Sequence, residues 1–191
     1  MTGAATPARV RKPASIRRAE ILDAATVEFA ETGLAGTRLE VIAARAEISH
    51  PRIVQMFGSK RALFLEVVDL IFDRVHAAFA EAAASDASQL GTLGDAYRRL
   101  LQRDRTVSLV MLQGFAAAGD ATVREAVGHR YLALQRAVAE LTGADALQVR
   151  TFFATGLVAT VSTALALPGK RTDARWGAWL LDLVEAPDAT V

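Results

Sequence analysis

The chain has 191 residues, 52% of them hydrophobic and 23% charged, which gives it the material for a sizeable core and one or two domains. It contains no cysteine, which excludes disulfides, thiolate metal sites and thiol nucleophiles, and its three histidines (His50, His76 and His129) lie too far apart in sequence for a histidine-rich metal centre. The net charge of +1 hides an asymmetry: residues 1–60 carry nine basic and six acidic groups (+3), and residues 61–191 carry thirteen and fifteen (−2).

In chain order, residues 1–14 form a basic arm with Pro7 and Pro13 and no hydrophobic period, predicted to be disordered. With Arg17 and Arg18 the first eighteen residues hold five positive charges and no acid, which suits a polyanion or a solvated tail. Arg17, Arg18, Glu20 and Asp23 interrupt any apolar run of a secretory signal, so a cytoplasmic location is expected. From Ser15 to about Thr32, Ile21/Leu22, Ala25 and Phe29 recur at helical spacing, and Gly33 is placed to stop the helix. Thr37 and Glu40 have capping-box spacing ahead of a short helix, 38–46, whose inward residues are Leu39, Ile42, Ala43 and Ala46. Ser49 is placed to cap a third helix with Pro51 in its first turn and Ile53 and Phe57 inward, ended by Gly58.

Longer amphipathic helices follow at about 60–84, 90–103, 106–118 and 122–141, then one at about 144–167 that carries no charge from Thr151 on, and a last one at about 172–184 beyond Pro168-Gly169. No strand pattern or internal repeat is present, so the predicted fold is all-α with about nine helices. Residues 15–60 are expected to form an amino-terminal helix-turn-helix domain and residues 61–191 a larger helical one. The uncharged stretch 151–169 is close to membrane-span length, but Thr155, Gly156, Thr160, Ser162 and Thr163 dilute it and favour burial in protein.

Function concentrates in residues 37–60. Two short helices joined by Glu47-Ile48-Ser49 make a helix-turn-helix, with small residues Ala43, Ala44 and Ala46 where the second helix crosses the first. If Ile53 and Phe57 are buried, His50, Arg52 and Gln55 stand free near the helix start, the end that enters a major groove. There arginine reads guanine O6/N7 and glutamine reads adenine N6/N7. Helix N-termini at Thr37 and Lys60 suit phosphate oxygens.

Residues 15–65 also resemble the amino-terminal domain of the TetR family of transcriptional regulators. The resemblance rests on Phe29-Ala30-Glu31-Thr32-Gly33, Thr37, Ile42-Ala43, Ile48-Ser49, His50-Pro51-Arg52 and the run Phe57-x-Ser59-Lys60-x-x-Leu63. It implies phosphate contacts from Thr37 and Lys60, a helix cap from Ser49, and base contacts from His50, Pro51, Arg52 and Gln55. Val54 stands where the family often has tyrosine and Met56 where it often has histidine, so a backbone contact is lost there, which Arg38 or the basic arm could replace. The resemblance further implies a carboxy-terminal domain that dimerises and binds an effector, with double-stranded DNA, a second copy and a small apolar or amphipathic ligand as partners. Candidate ligand-lining residues are Phe72, Tyr97, Met111, Phe115, Tyr131, Gln135 and Phe153. Candidate dimer residues are Phe152, Gly156, Ala159, Thr163, Trp176, Trp179 and Leu183. The helix at 144–167, apolar all round, independently asks for a partner on one side.

Enzyme readings lack support: there is no Gly-x-Ser-x-Gly elbow, no phosphate-binding loop at Gly169-Lys170 and no paired Glu-x-x-His motif. No cofactor is expected. Asp73 and His76 lie one turn apart, but two ligands alone more often make a solvated helix face than a metal site. A ligand-responsive regulator, most often a repressor in the family, is the function expected. An all-helical module that binds protein partners instead of DNA is the alternative.

Overall fold

A computed structural model of the chain describes residues 13–85 and 89–167. Eight α-helices and one 3₁₀ turn account for nearly all of them, with no strand among the described residues. They are α1 (Ala14–Gly36), α2 (Leu39–Arg45), α3 (His50–Phe57), α4 (Lys60–Ser85), α5 (Leu90–Arg103), α6 (Arg105–Ala116), α7 (Ala121–Thr142) and α8 (Ala146–Ala164). The basic arm up to residue 12 and the expected last helix, with Trp176, Trp179 and Leu183, lie outside the described residues. No described helix is long and apolar enough to cross a membrane.

The predicted stripes become the core. Ile21, Ala25 and Phe29 of α1, Ile42 and Ala43 of α2, and Ile53 and Phe57 of α3 are buried against Leu63, Phe64 and Val67 of α4. Phe29 and Phe64 meet edge to face at 5.0 Å. In the second half, α6 is the central element and touches α1, α4, α5, α7 and α8. Val107, Val110 and Met111 are buried on it, and Gly114 permits close approach: a Cβ there would sit 3.6 Å from Val127 of α7 and 3.8 Å from Val68 of α4. Aspartates start three of the later helices. Asp104 accepts from Thr106 N, Asp120 from Thr122 N and Val123 N, and Asp145 forms a capping box with Gln148.

The turns around α2 differ from the sequence expectation. Gly33 does break α1, with φ +66° and ψ −177°, but the chain coils on to Gly36 before α2 begins. The N-cap of α2 is Arg38, with no side-chain cap bond, so the Thr37–Glu40 capping box is not formed. The Thr37 hydroxyl is already engaged: it donates to the Gly33 carbonyl at 2.7 Å and shares a 2.6 Å hydrogen bond with the Thr32 hydroxyl. Ser49 holds the N-cap position of α3 but makes no side-chain cap bond. Ala44 is exposed, so Ala43 and Ala46 alone supply the small surface at the helix crossing.

Candidate nucleic-acid interface

α2 and α3 are joined by a turn in which Glu47 takes a left-handed backbone, φ 52°. Ile48 N donates to the Ala43 carbonyl at 3.0 Å, which closes the turn. Because Ile53 and Phe57 are buried, helical geometry leaves Pro51, Arg52, Val54 and Gln55 exposed and His50 half-exposed on the opposite face. Gly58, at φ +81°, ends α3 and lets α4 begin two residues later.

Two pairs order this face. His50 Nδ1 lies 3.2 Å from Glu40 Oε1 of α2. A carboxylate only accepts, so Nδ1 carries the proton and Nε2 points away. Arg52 Nη1 donates to Gln55 Oε1 at 2.7 Å. Arg38 is exposed at the start of α2. Lys60, at the first position of α4, donates to the carbonyls of Thr37 (2.9 Å) and Ala35 (3.3 Å). It therefore fastens α4 to the turn before α2. Thr37 is buried, 3% exposed, with its hydroxyl spent inside the turn. The phosphate contact expected of that hydroxyl has no free donor behind it; in this arrangement Thr37 shapes the turn.

Several charges that read as surface features in the sequence are structural. Arg18 reaches Glu66 of α4 and stacks over the Phe57 ring, 4.4 Å from its centroid. Arg17 pairs with Glu20 at 3.0 Å. Glu28 is buried and held by Arg45 at 2.7 Å across α1 and α2. Sequence spacing gave no signal for that pair, which is seventeen residues apart. Asp73, considered as a metal ligand beside His76, is engaged by Arg130 of α7. No group of three or more metal-ligating side chains occurs among the described residues.

The packing of α1 on α6 and α4 joins the amino-terminal helices to the body, and two further contacts reinforce it. Gln113 of α6 bears on the backbone of Gly33, where a Cβ would lie 2.3 Å from Oε1. Arg61, in the first turn of α4, pairs with Asp120 at the start of α7 at 2.9 Å.

Among the hollows of the body, two are mainly apolar and involve the residues expected at a ligand site or their neighbours. Tyr97, Met111, Phe115, Tyr131 and Phe153, all predicted to line a ligand site, converge on a small, largely aromatic cavity of about 30 Å³. Of the other two expected residues, Gln135 hydrogen-bonds the Tyr131 phenol, and Phe72 is buried apart from that cavity. A larger hollow of about 580 Å³ runs between α5 and α8 and escaped the sequence reading. Gly91, Gly94 and Gly156 open it, and Leu90, Leu147, Phe152 and Ala159 give it apolar walls. Thr151, Thr155 and the Asp95–Arg98 pair add the polar groups. Tyr97 lines both hollows. Its hydroxyl is 2.7 Å from the Thr160 hydroxyl and 3.3 Å from Met111 Sδ. Burial pushes this phenol up to about 12, although the Thr160 hydrogen bond acts in the opposite direction.

The faces of α8 divide the residues expected at a dimer seam. Phe152 stacks on Phe79 and Phe153, Gly156 backs onto the Tyr97 ring, and Ala159 lines the large hollow, so all three turn toward their own subunit. Thr163 is half-buried. The exposed face carries Leu157, Val161 and Leu165 instead.

Comparison with known proteins agrees with this architecture. No curated protein matches the chain in sequence. A TetR-like transcriptional regulator from Rhodococcus sp. RHA1 is 25% identical, with 90% of this chain and 94% of that chain covered and a TM-score of 0.67. FadR of Bacillus subtilis, solved with stearoyl-CoA, is 17% identical, with 90% and 100% covered and a TM-score of 0.69. Residues 21–67 match the family model of bacterial regulatory proteins, tetR family. That match spans the helix-turn-helix and its seat on α4, so the amino-terminal quarter of the chain is similar to the tetR family of bacterial regulatory proteins, and the fold of the whole is that of TetR-like regulators.

Proposed function

We propose that the chain is a sequence-specific, non-enzymatic DNA-binding repressor that acts as a homodimer in the cytoplasm and leaves its operator when a small molecule binds its body. The observation that carries this reading is the division of α3. Ile53 and Phe57 anchor it, while His50, Arg52, Val54 and Gln55 face outward, the first three as base-contacting types, with Val54 suited to a thymine methyl. Pro51 stiffens the leading turn, and Arg38 and Lys60 flank the helix with positive charge. The apolar face of α8 formed by Leu157, Val161 and Leu165 supports a twofold partner, which suits a palindromic operator.

The effector reading rests on the hollow between α5 and α8, whose size and mostly apolar walls suit an elongated apolar molecule with a polar end. The stearoyl-CoA held by the Bacillus neighbour is a molecule of that kind. Release requires the effector to favour the arrangement that cannot span both half-sites.

Selection of bound duplexes from a random pool at low salt tests the proposal. Enrichment of two inverted half-sites about 34–36 Å apart, or a multiple of that, is expected. No enrichment of any sequence would refute it.

A further inference from the structure

We infer that Arg52 is the guanine reader of α3 and that Gln55 is its positioning residue, so that the pair specifies one guanine per half-site instead of a guanine and a separate adenine. This rests on the DNA-binding reading above and adds the base class that the helix selects.

The two side chains lie one turn apart and are joined by the 2.7 Å bond from Arg52 Nη1 to Gln55 Oε1. Arginine has five N–H donors and no acceptor. The Gln55 amide must therefore turn its oxygen toward Arg52 and its NH₂ away. To read adenine, a glutamine sets Oε1 against N6–H and Nε2 against N7 in one plane. Here the guanidinium occupies that oxygen, so Gln55 is committed to its neighbour. Arg52 keeps its remaining donors, and guanine offers the matching pair of acceptors, O6 and N7. A tethered arginine also has less rotamer freedom left to lose on docking than a free one.

The charge pattern favours the same residue. Arg17, Arg18 and Arg45 are each neutralised by a carboxylate, from Glu20, Glu66 and Glu28. The partner of Arg52 is a neutral amide, so its positive charge remains directed outward from the face of α3. His50 is arranged differently: its orienting partner, Glu40, comes from another helix and leaves Nε2 as a separate reader.

Duplex selection with the wild-type chain, Arg52→Ala, Gln55→Ala and Gln55→Glu decides the matter, with thermal melts confirming that each variant is folded. In the wild type, one guanine position per half-site is expected to be preferred about 5- to 150-fold over other bases. Arg52→Ala abolishes that preference. Gln55→Ala weakens it at the same position by about 2- to 10-fold and leaves other positions alone. Gln55→Glu keeps the acceptor and so keeps the preference, whatever the added charge does to overall affinity. If Gln55→Ala leaves the guanine position intact and relaxes a different one, Gln55 reads its own base and the inference fails. It fails equally if Arg52→Ala weakens all sequences to the same degree, as loss of a phosphate contact would. A wild-type chain that enriches nothing overturns the DNA-binding reading itself, a distinct result.

Discussion

Gly33→Ala tests how the amino-terminal domain is attached to the body. The native backbone there, φ +66° and ψ −177°, lies in a region that is essentially glycine-only, and forcing alanine into it costs about 1–3 kcal/mol. The new methyl would also sit 2.3 Å from Gln113 Oε1, so that side chain must leave a favourable rotamer at about 0.5–1.5 kcal/mol. Together these give about 1.5–4.5 kcal/mol, or a fall in Tm of about 3–18 °C for a chain of this size. Calorimetry at fixed protein concentration measures it. The two contributions separate in a double-mutant cycle: Gln113→Ala removes the obstacle and should recover the steric part, leaving the backbone part in Gly33→Ala/Gln113→Ala. A Gly33→Ala chain that melts within about 1 °C of wild type, less than 1 kcal/mol would produce, refutes both the strained turn and the contact.

Tyr97 ionises near 10 when unfolded but only at about 12 when folded, so the unfolded chain loses its proton first and stability should fall between pH 10 and 12; urea titrations at pH 9 and 11 should show a smaller drop for Tyr97→Phe than for wild type. Burial pushes the Asp104 carboxyl up, but hydrogen bonds from Thr106 and Arg74 outweigh it and hold the group below its ordinary value, so its contribution is present above about pH 4 and is lost as pH falls further. Asp104→Ala should cost about 0.5–2 kcal/mol at neutral pH through the lost α6 cap and flatten that acid limb, both visible in denaturant melts. Arg45→Ala leaves the buried Glu28 carboxylate without its partner and should destabilise by about 1–3 kcal/mol, with Glu28→Gln/Arg45→Ala recovering part of the loss; equal stability of the two variants would show that the pair contributes nothing.

The anchors of the reading head were legible because they obey a strict period. Ile21, Ala25 and Phe29, and then Ile53 and Phe57, repeat at helical spacing and are all buried, which forces the opposite side of α3 outward. The cap of α2 was misassigned for a tertiary reason. Thr37 has the right side chain for capping, but the reversal at Gly33 brings a carbonyl and the Thr32 hydroxyl to it first. The large hollow was invisible because it depends on glycines of α5 and α8 meeting in space, and a glycine in a helix pattern carries no such mark. The faces of α8 could not be told apart for the same kind of reason. A helix that is apolar all round has no polar side to mark the outside, so Phe152 and Gly156 were as plausible outward as Leu157 and Val161.

The 26-residue length of α4 has a mechanical consequence. At 1.5 Å per residue it is a rod of about 39 Å. Lys60 hooks its leading end to the carbonyls of Ala35 and Thr37, which couples the turn before α2 to the rod. A pivot of only about 5° at the far end carries the tip through about 3.4 Å, the rise of one base pair. If the chain binds DNA as proposed, a small deformation around the pivot is thus magnified into a full step of misregister along the duplex.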